Sequence, residues 1–255
     1  AKHYKKAIVI GGGLLGLEAA NGLAIQGMDV SVVHLPTWLM ERQLDPTAAG
    51  LLQKSLETKG LKFLLAKNTK ALHAGADGRV AQIEFADGEI HDADLVVMAV
   101  GIRPNDKLAA SSGLLCNRGV VVSDTMQTIT DPKIYSVGEC ASHRGVAYGL
   151  VAPLFEQAKV CANHLAQFGI GRYEGSVTST KLKVTGVDLF SAGNFMGGEG
   201  CEELLLSDPI GGVYKKLVIK EDKLVGACLY GDTVDGSWYF KLMREGKAIK
   251  EIREK

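Results

Sequence analysis

The stretch from Ala7 to Ala20, AIVIGGGLLGLEAA, narrows the choice of fold more than any other. A short apolar run suited to a buried strand (6–10) meets three glycines, and a segment of helical spacing opens at once from Leu14. Gly11, Gly13 and Gly16 satisfy G-x-G-x-x-G between a strand and a helix, the context in which that pattern holds a dinucleotide pyrophosphate. Gly11 allows the tight turn. Gly13 lets backbone N–H groups approach a phosphate, and Gly16 lets the helix pack closely on the strand. The N-terminus of the helix attracts the negative charge. Gly11, Gly13, Leu14, Leu15 and Gly16 are therefore the expected pyrophosphate-binding residues.

The alternation continues. The spacing predicts a helix over 14–27, a β-branched strand at DVSVV (29–33), and a helix over 45–60 with Asp45 as N-cap, Pro46 at its first position and Gly60 just past its end. KFLL (62–65) reads as a third strand. Strands alternating with helices predict an α/β fold on a parallel sheet. Three extended runs follow, separated by the turn pairs Asp77-Gly78 and Asp87-Gly88. They predict an antiparallel meander that returns to the parallel sheet at 95–100. The chain then reads as loop-rich up to GVVVS (119–123), with a buried strand at KIYSVGECA (133–141) and a helix over 153–169 opening at Pro153. From about 172 the pattern is mostly antiparallel, with KLKVTGVDLFSAG, a hairpin over 213–232 and a last helix at 237–246.

The dinucleotide pattern expects an acid at the end of the second strand, to hold a ribose 2′-hydroxyl. His34 stands there instead. A neutral imidazole can accept from a ribose hydroxyl, and a protonated one can pair with a 2′-phosphate. No Lys or Arg follows until Arg42, so the choice between NADH and NADPH stays open with a lean to NADH.

Composition excludes several classes. Lys plus Arg and Asp plus Glu are 29 each, which gives no basic excess for nucleic acid or an anionic membrane surface. No apolar run is long enough to span a bilayer. The five cysteines (116, 140, 161, 201, 228) form no C-x-x-C pair, which excludes dithiol–disulfide chemistry and points to reduced thiols in a cytoplasm. They are also too scattered to hold an iron–sulfur cluster or sirohaem. Cys140 reads as a buried structural thiol, His3, His73, His91, His143 and His164 as mostly surface residues, and no metal site is expected.

These residues resemble the FAD-dependent pyridine nucleotide-disulphide oxidoreductases. In that family the nicotinamide loop resembles GGGLLGLEAA, with a Glu two residues after the last Gly; the resemblance places Glu18 towards the nicotinamide. MAVGIRPN (98–105) resembles the crossover to the flavin domain, with Gly101 lining the approach to the flavin. IYSVGECA (134–141) resembles the second FAD motif, in which Gly-Asp is replaced here by Gly138-Glu139 on the ribityl side. The helix after it would aim its N-terminus at the flavin ring. LMERQLD (39–45), VGECASHRG (137–145), STKLKVTGVDLFSAG (179–193) and LYGDTVDGSWYF (229–240) are similar to the reductase portion of NAD(P)H nitrite reductase large subunits.

The resemblance implies three parts: a Rossmann-like NAD(P)-binding domain with parallel sheet and meander (1–102), the second half of an FAD-binding domain (103–170), and a C-terminal α+β interface domain (171–255). It implies an NAD(P)H:FAD oxidoreductase module of a nitrite-reductase-like electron-transfer flavoprotein, with no acid–base catalytic residue. The family's N-terminal FAD half-domain is not among these 255 residues. That half-domain and the downstream redox domains would be its partners, and the chain alone would hold FAD weakly or not at all. A homodimer through the FAD-domain remnant or the C-terminal domain is compatible with this. Two rivals stand beside it: a rubredoxin- or ferredoxin-type reductase, and a non-catalytic nucleotide-binding fragment.

Overall fold

The fold is that of a computed structural model, which describes residues 4–182 and 186–250. It divides into two compact units, one formed by residues 1–101 with 179–255 and the other by 102–178. In the first unit, strands β1 (Lys6–Ile10), β2 (Asp29–His34), β3 (Lys62–Leu65) and β7 (Leu95–Met98) form a parallel sheet of order β3-β2-β1-β7. Val9 pairs with Val32 on one side and Val97 on the other. Helices α1 (Leu14–Ile25) and α2 (Pro46–Glu57) connect its strands. The meander β4 (Thr69–Ala74), β5 (Val80–Phe85) and β6 (Ile90–Asp92) is antiparallel, and its two turns use Gly78 and Gly88 at positive φ.

Both faces of β1 and β2 are covered, which is why these strands read as unbroken apolar runs. Ala7, Val9, Val30 and Val32 join a core with α1 and α2, while Ile8 and Val33 pack with Ile83 and Phe85 of the meander. Asp45 caps α2 as its sequence predicts, accepting from the Ala48 N–H at 2.9 Å.

Residues 179–250 close the unit with an antiparallel sheet of order β10-β11-β14-β13-β12, made by β10 (Ser179–Leu182), β11 (Leu189–Gly193), β12 (Glu202–Asp208), β13 (Val213–Lys220) and β14 (Lys223–Tyr230), followed by α5 (Gly236–Glu245). Leu189, Tyr214, Cys228 and Tyr230 enter the core around α2. The expected run from Lys181 to Gly193 is described in part, since 183–185 lie outside the described residues.

The second unit holds α3 (Lys107–Ser111), β8 (Val120–Val122), β9 (Ala141–His143) and α4 (Val151–Leu165). Here two sequence expectations are corrected. The strand expected over 133–141 is not one: Gly138 takes φ +92° and its carbonyl accepts from the Ala141 N–H, a turn that ends any extended run. The strand is β9, which pairs in parallel with β8 beyond that turn. Helix α4 begins at Val151, not at Pro153. Proline fits in its first turn because an N–H there has no partner within the helix.

Candidate functional site

The glycine loop is built by close approach. Gly11 has φ +120°, and a Cβ there would stand 2.2 Å from the Ala99 carbonyl oxygen. A Cβ on Gly16 would stand 1.8 Å from the oxygen of Gly11. Neither position can take a side chain without moving backbone. A Cβ on Gly13 would meet nothing within 4 Å, so the space above this residue is open. Gly13 is also the N-cap of α1 and carries no side chain to satisfy the first N–H groups of that helix. An open cradle, free N–H groups and a helix N-terminus together fit a pyrophosphate. Leu14 is half-buried against the core, and Leu15 is exposed at the mouth of the loop. Glu18, half-buried, lies one turn along α1 from Leu14.

Sequence reasoning missed the fourth glycine. A Cβ on Gly12 would fall 2.8 Å from Cγ of His34 and 2.7 Å from a methyl of Leu39. The absent side chain makes room for the imidazole, and no spacing rule in the chain announces that. The Gly12 N–H donates to Nδ1 of His34 at 3.0 Å, and the Gly12 carbonyl accepts from the Met40 N–H at 3.0 Å. Nδ1 is thus an acceptor, so Nε2 carries the ring proton and donates to a carboxylate oxygen of Glu41 at 2.9 Å. His34 is buried with both nitrogens engaged. A direct contact with the ribose or a 2′-phosphate, the role expected of His34, would have to displace one of these two bonds. Gly101 ends the first unit, exposed and at φ +91°.

In the second unit, Gly138 donates its N–H to Oε1 of Gln157 at 2.9 Å. Gln157 is fully buried on α4, so this helix fixes the turn that presents the exposed carboxylate of Glu139. Helix α4 has Leu150 as its N-cap, with no side-chain cap bond, as α1 has none. A turn held rigid beside an uncapped helix suits a polar, electron-rich ligand edge. Cys140 is half-buried rather than buried, its Sγ 3.4 Å from the Val137 carbonyl oxygen. His143 is buried, against the surface role expected of it, and bonds Asp124 at 2.8 Å. Arg144 and then His143 hold the Asp124 carboxyl down to about 2. His91 and His164 are half-buried and only His73 is exposed, while His3 lies outside the described residues.

Among the described residues no cluster of His, Cys, Asp and Glu is arranged for a metal ion, and no helix is long and apolar enough to cross a membrane.

The family model described as pyridine nucleotide-disulphide oxidoreductase matches residues 1–164. The chain belongs to this family. Residues 179–247 match the model of the rubredoxin NAD+ reductase C-terminal domain. Family members use NAD(P)H and FAD. The chain is 55% identical over 251 residues to nitrite reductase [NAD(P)H] of Bacillus subtilis, covering 98% of this chain and 31% of that protein. It is 51% identical over 235 residues to the assimilatory nitrate reductase electron transfer subunit of the same organism, covering 92% of this chain and 30% of that protein. The chain therefore spans about a third of the length of these curated relatives. A crystal structure of a ferredoxin reductase from Rhodopseudomonas palustris shares the fold, with TM-score 0.82 and 24% identity over 97% of this chain and 61% of that one. A NAD-dependent persulfide reductase from A. fulgidus superposes with TM-score 0.86 at 22% identity, covering 100% of this chain and 51% of that one.

Proposed function

We propose that this chain is the NAD(P)H:FAD reductase portion of a nitrite-reductase-like electron-transfer enzyme. The observation that carries the reading is the glycine loop: Gly11 and Gly16 are forced by backbone contacts, while Gly13 opens on empty space at an uncapped helix start. When bound, the coenzymes supply hydride transfer and the later release of single electrons. The chain's part is to bind and orient. Gly11, Gly13, Leu14, Leu15 and Gly16 hold the pyrophosphate of the nicotinamide coenzyme, with Glu18 towards the nicotinamide. His34 belongs to the adenosine end, acting through its neighbours. Gly101 lines the approach to the flavin, and Gly138 and Glu139 hold the ribityl side. No side chain acts as a catalytic acid or base.

In this reading residues 1–102 bind NAD(P)H, 103–170 supply the second half of an FAD site, and 171–255 form an interface domain. The first FAD half-domain and the downstream redox domains belong to the longer protein, so the portion alone holds FAD weakly or not at all. A homodimer through the FAD-domain remnant or the C-terminal domain and a cytoplasmic setting complete the proposal. The match of residues 179–247 to a rubredoxin reductase domain supports a second reading, in which the acceptor is a rubredoxin or ferredoxin.

The test is calorimetric titration with NADH, followed by addition of FAD and a visible spectrum. NADH binding is expected, with little flavin retained after gel filtration. Absence of NADH binding would overturn the proposal. A tightly held FAD would contradict the weak flavin site.

A further inference from the structure

We infer that Glu41 is the residue that selects NADH over NADPH, and that His34 is its positioning residue; this rests on the coenzyme site proposed above. In a dinucleotide-binding sheet the adenosine ribose lies at the carboxyl end of the second strand, where a carboxylate holds the 2′-hydroxyl. That strand ends here in an imidazole whose nitrogens are both engaged. The hydrogen bond from Nε2 leads outward to Glu41, whose side chain is 32% exposed against 9% for His34. One carboxylate oxygen of Glu41 takes that bond, and among the described residues no bond to the other is found.

The loop that carries Glu41 is locked against the glycine loop. Met40, its neighbour, takes φ +53° and donates its N–H to the Gly12 carbonyl oxygen. The same residue donates its N–H to Nδ1 of His34. Gly12, His34 and Met40 thus tie the Glu41 backbone and carboxylate to the glycine loop from two sides. The acid that the pattern expects at the strand end is present in space, displaced seven positions along the chain and returned through an imidazole. Its open oxygen can accept from a ribose hydroxyl. A 2′-phosphate in the same place would bring two negative charges together, which costs binding.

The experiment titrates the full 255-residue chain and its Glu41→Gln variant with NADH and with NADPH by calorimetry. The parent is expected to bind NADH more tightly. In Glu41→Gln the NADH-to-NADPH affinity ratio should fall by about tenfold or more, as loss of one charge-assisted contact and of the repulsion implies. Glu41→Asp keeps the charge and should keep NADPH disfavoured. A role confined to bracing His34 would weaken both coenzymes alike and leave the ratio unmoved. That result, or a parent that favours NADPH through Arg42, would overturn the inference. A parent that binds neither coenzyme would instead overturn the proposed function. Should Glu41→Gln fail to fold, the parent still decides: added salt must narrow its NADH preference if a charge repulsion sets it, and an unchanged ratio rejects the role of Glu41.

Discussion

The Tyr214 hydroxyl donates to the Asp45 carboxylate at 2.6 Å, joining strand β13 to the cap of helix α2. Both residues are buried, and Lys216 stands 4.0 Å from the same carboxylate while pairing with Glu203 at 2.8 Å. Burial, and then the bond to Asp45, push the Tyr214 hydroxyl well above the usual phenol range. Tyr214→Phe removes the donor and leaves a buried carboxylate short of a partner. A loss of about 1–3 kcal/mol in unfolding free energy is expected by urea denaturation. The folded state holds this proton more tightly than the unfolded one. Its contribution is therefore complete below the usual tyrosine range near pH 10 and declines as pH rises above it. The parent should lose stability there more steeply than Tyr214→Phe.

Two glycine substitutions should separate binding from folding. Gly13→Val adds a side chain where nothing in the protein lies within 4 Å, so its melting temperature should match the parent. NADH affinity should drop by about tenfold or more, because the branched chain fills the phosphate approach. Gly16→Ala does the reverse: its Cβ would collide with the Gly11 carbonyl oxygen, and the protein itself should be destabilised. Equal NADH affinity for Gly13→Val and parent would reject the site.

Acid should act on the second unit through Asp124. Its carboxyl is held at about 2, first by Arg144 and then by His143. Because the folded-state value is lowered, the stabilisation is present above the ordinary value of 3.8 and is lost as pH falls towards 2. Asp124→Asn should flatten the pH dependence of unfolding in that window, followed by circular dichroism. An unchanged profile would show that the pair contributes nothing in solution.

The thiols should react in an order set by burial. Burial pushes Cys228 up to about 12 and raises Cys161 as well. Cys140 and Cys201 are only half-buried. Mass spectrometry after brief iodoacetamide treatment at neutral pH should find Cys201 and Cys140 labelled while Cys228 stays intact, since the thiolate is the reactive form. Early labelling of Cys228 would mean that the core around α2 opens readily.

The parts of the fold that local rules govern were legible. The strand–glycine–helix junction, the Asp45-Pro46 helix start and the two Gly turns of the meander lie where the residues place them. What escaped depends on distant partners. Strand β12 is exposed at every position and carries three consecutive leucines, Leu204 to Leu206, so no alternation marks it; its pairing with β13 makes it a strand. The run 133–137 reads as a strand, yet its backbone bonds go to residues 126, 128 and 131 and Gly138 turns it aside. In the coenzyme site the glycine spacing was readable because it is local geometry. The His34–Glu41 relay was not, because an imidazole beside Gly12 leaves no trace in composition or period.

The first unit is assembled from two stretches separated by the whole of the second, and this sets an order of events on the ribosome. Asp45 emerges 169 residues before Tyr214. At about 5–20 residues per second, that delay is roughly 8 to 34 seconds. During it the face of α2 that will meet Tyr214, Cys228 and Tyr230 has no cover, while residues 102–178 are already complete. A nascent chain stalled before residue 214 should therefore present a folded second unit and an unfinished first one, a species for which chaperones have a defined apolar target.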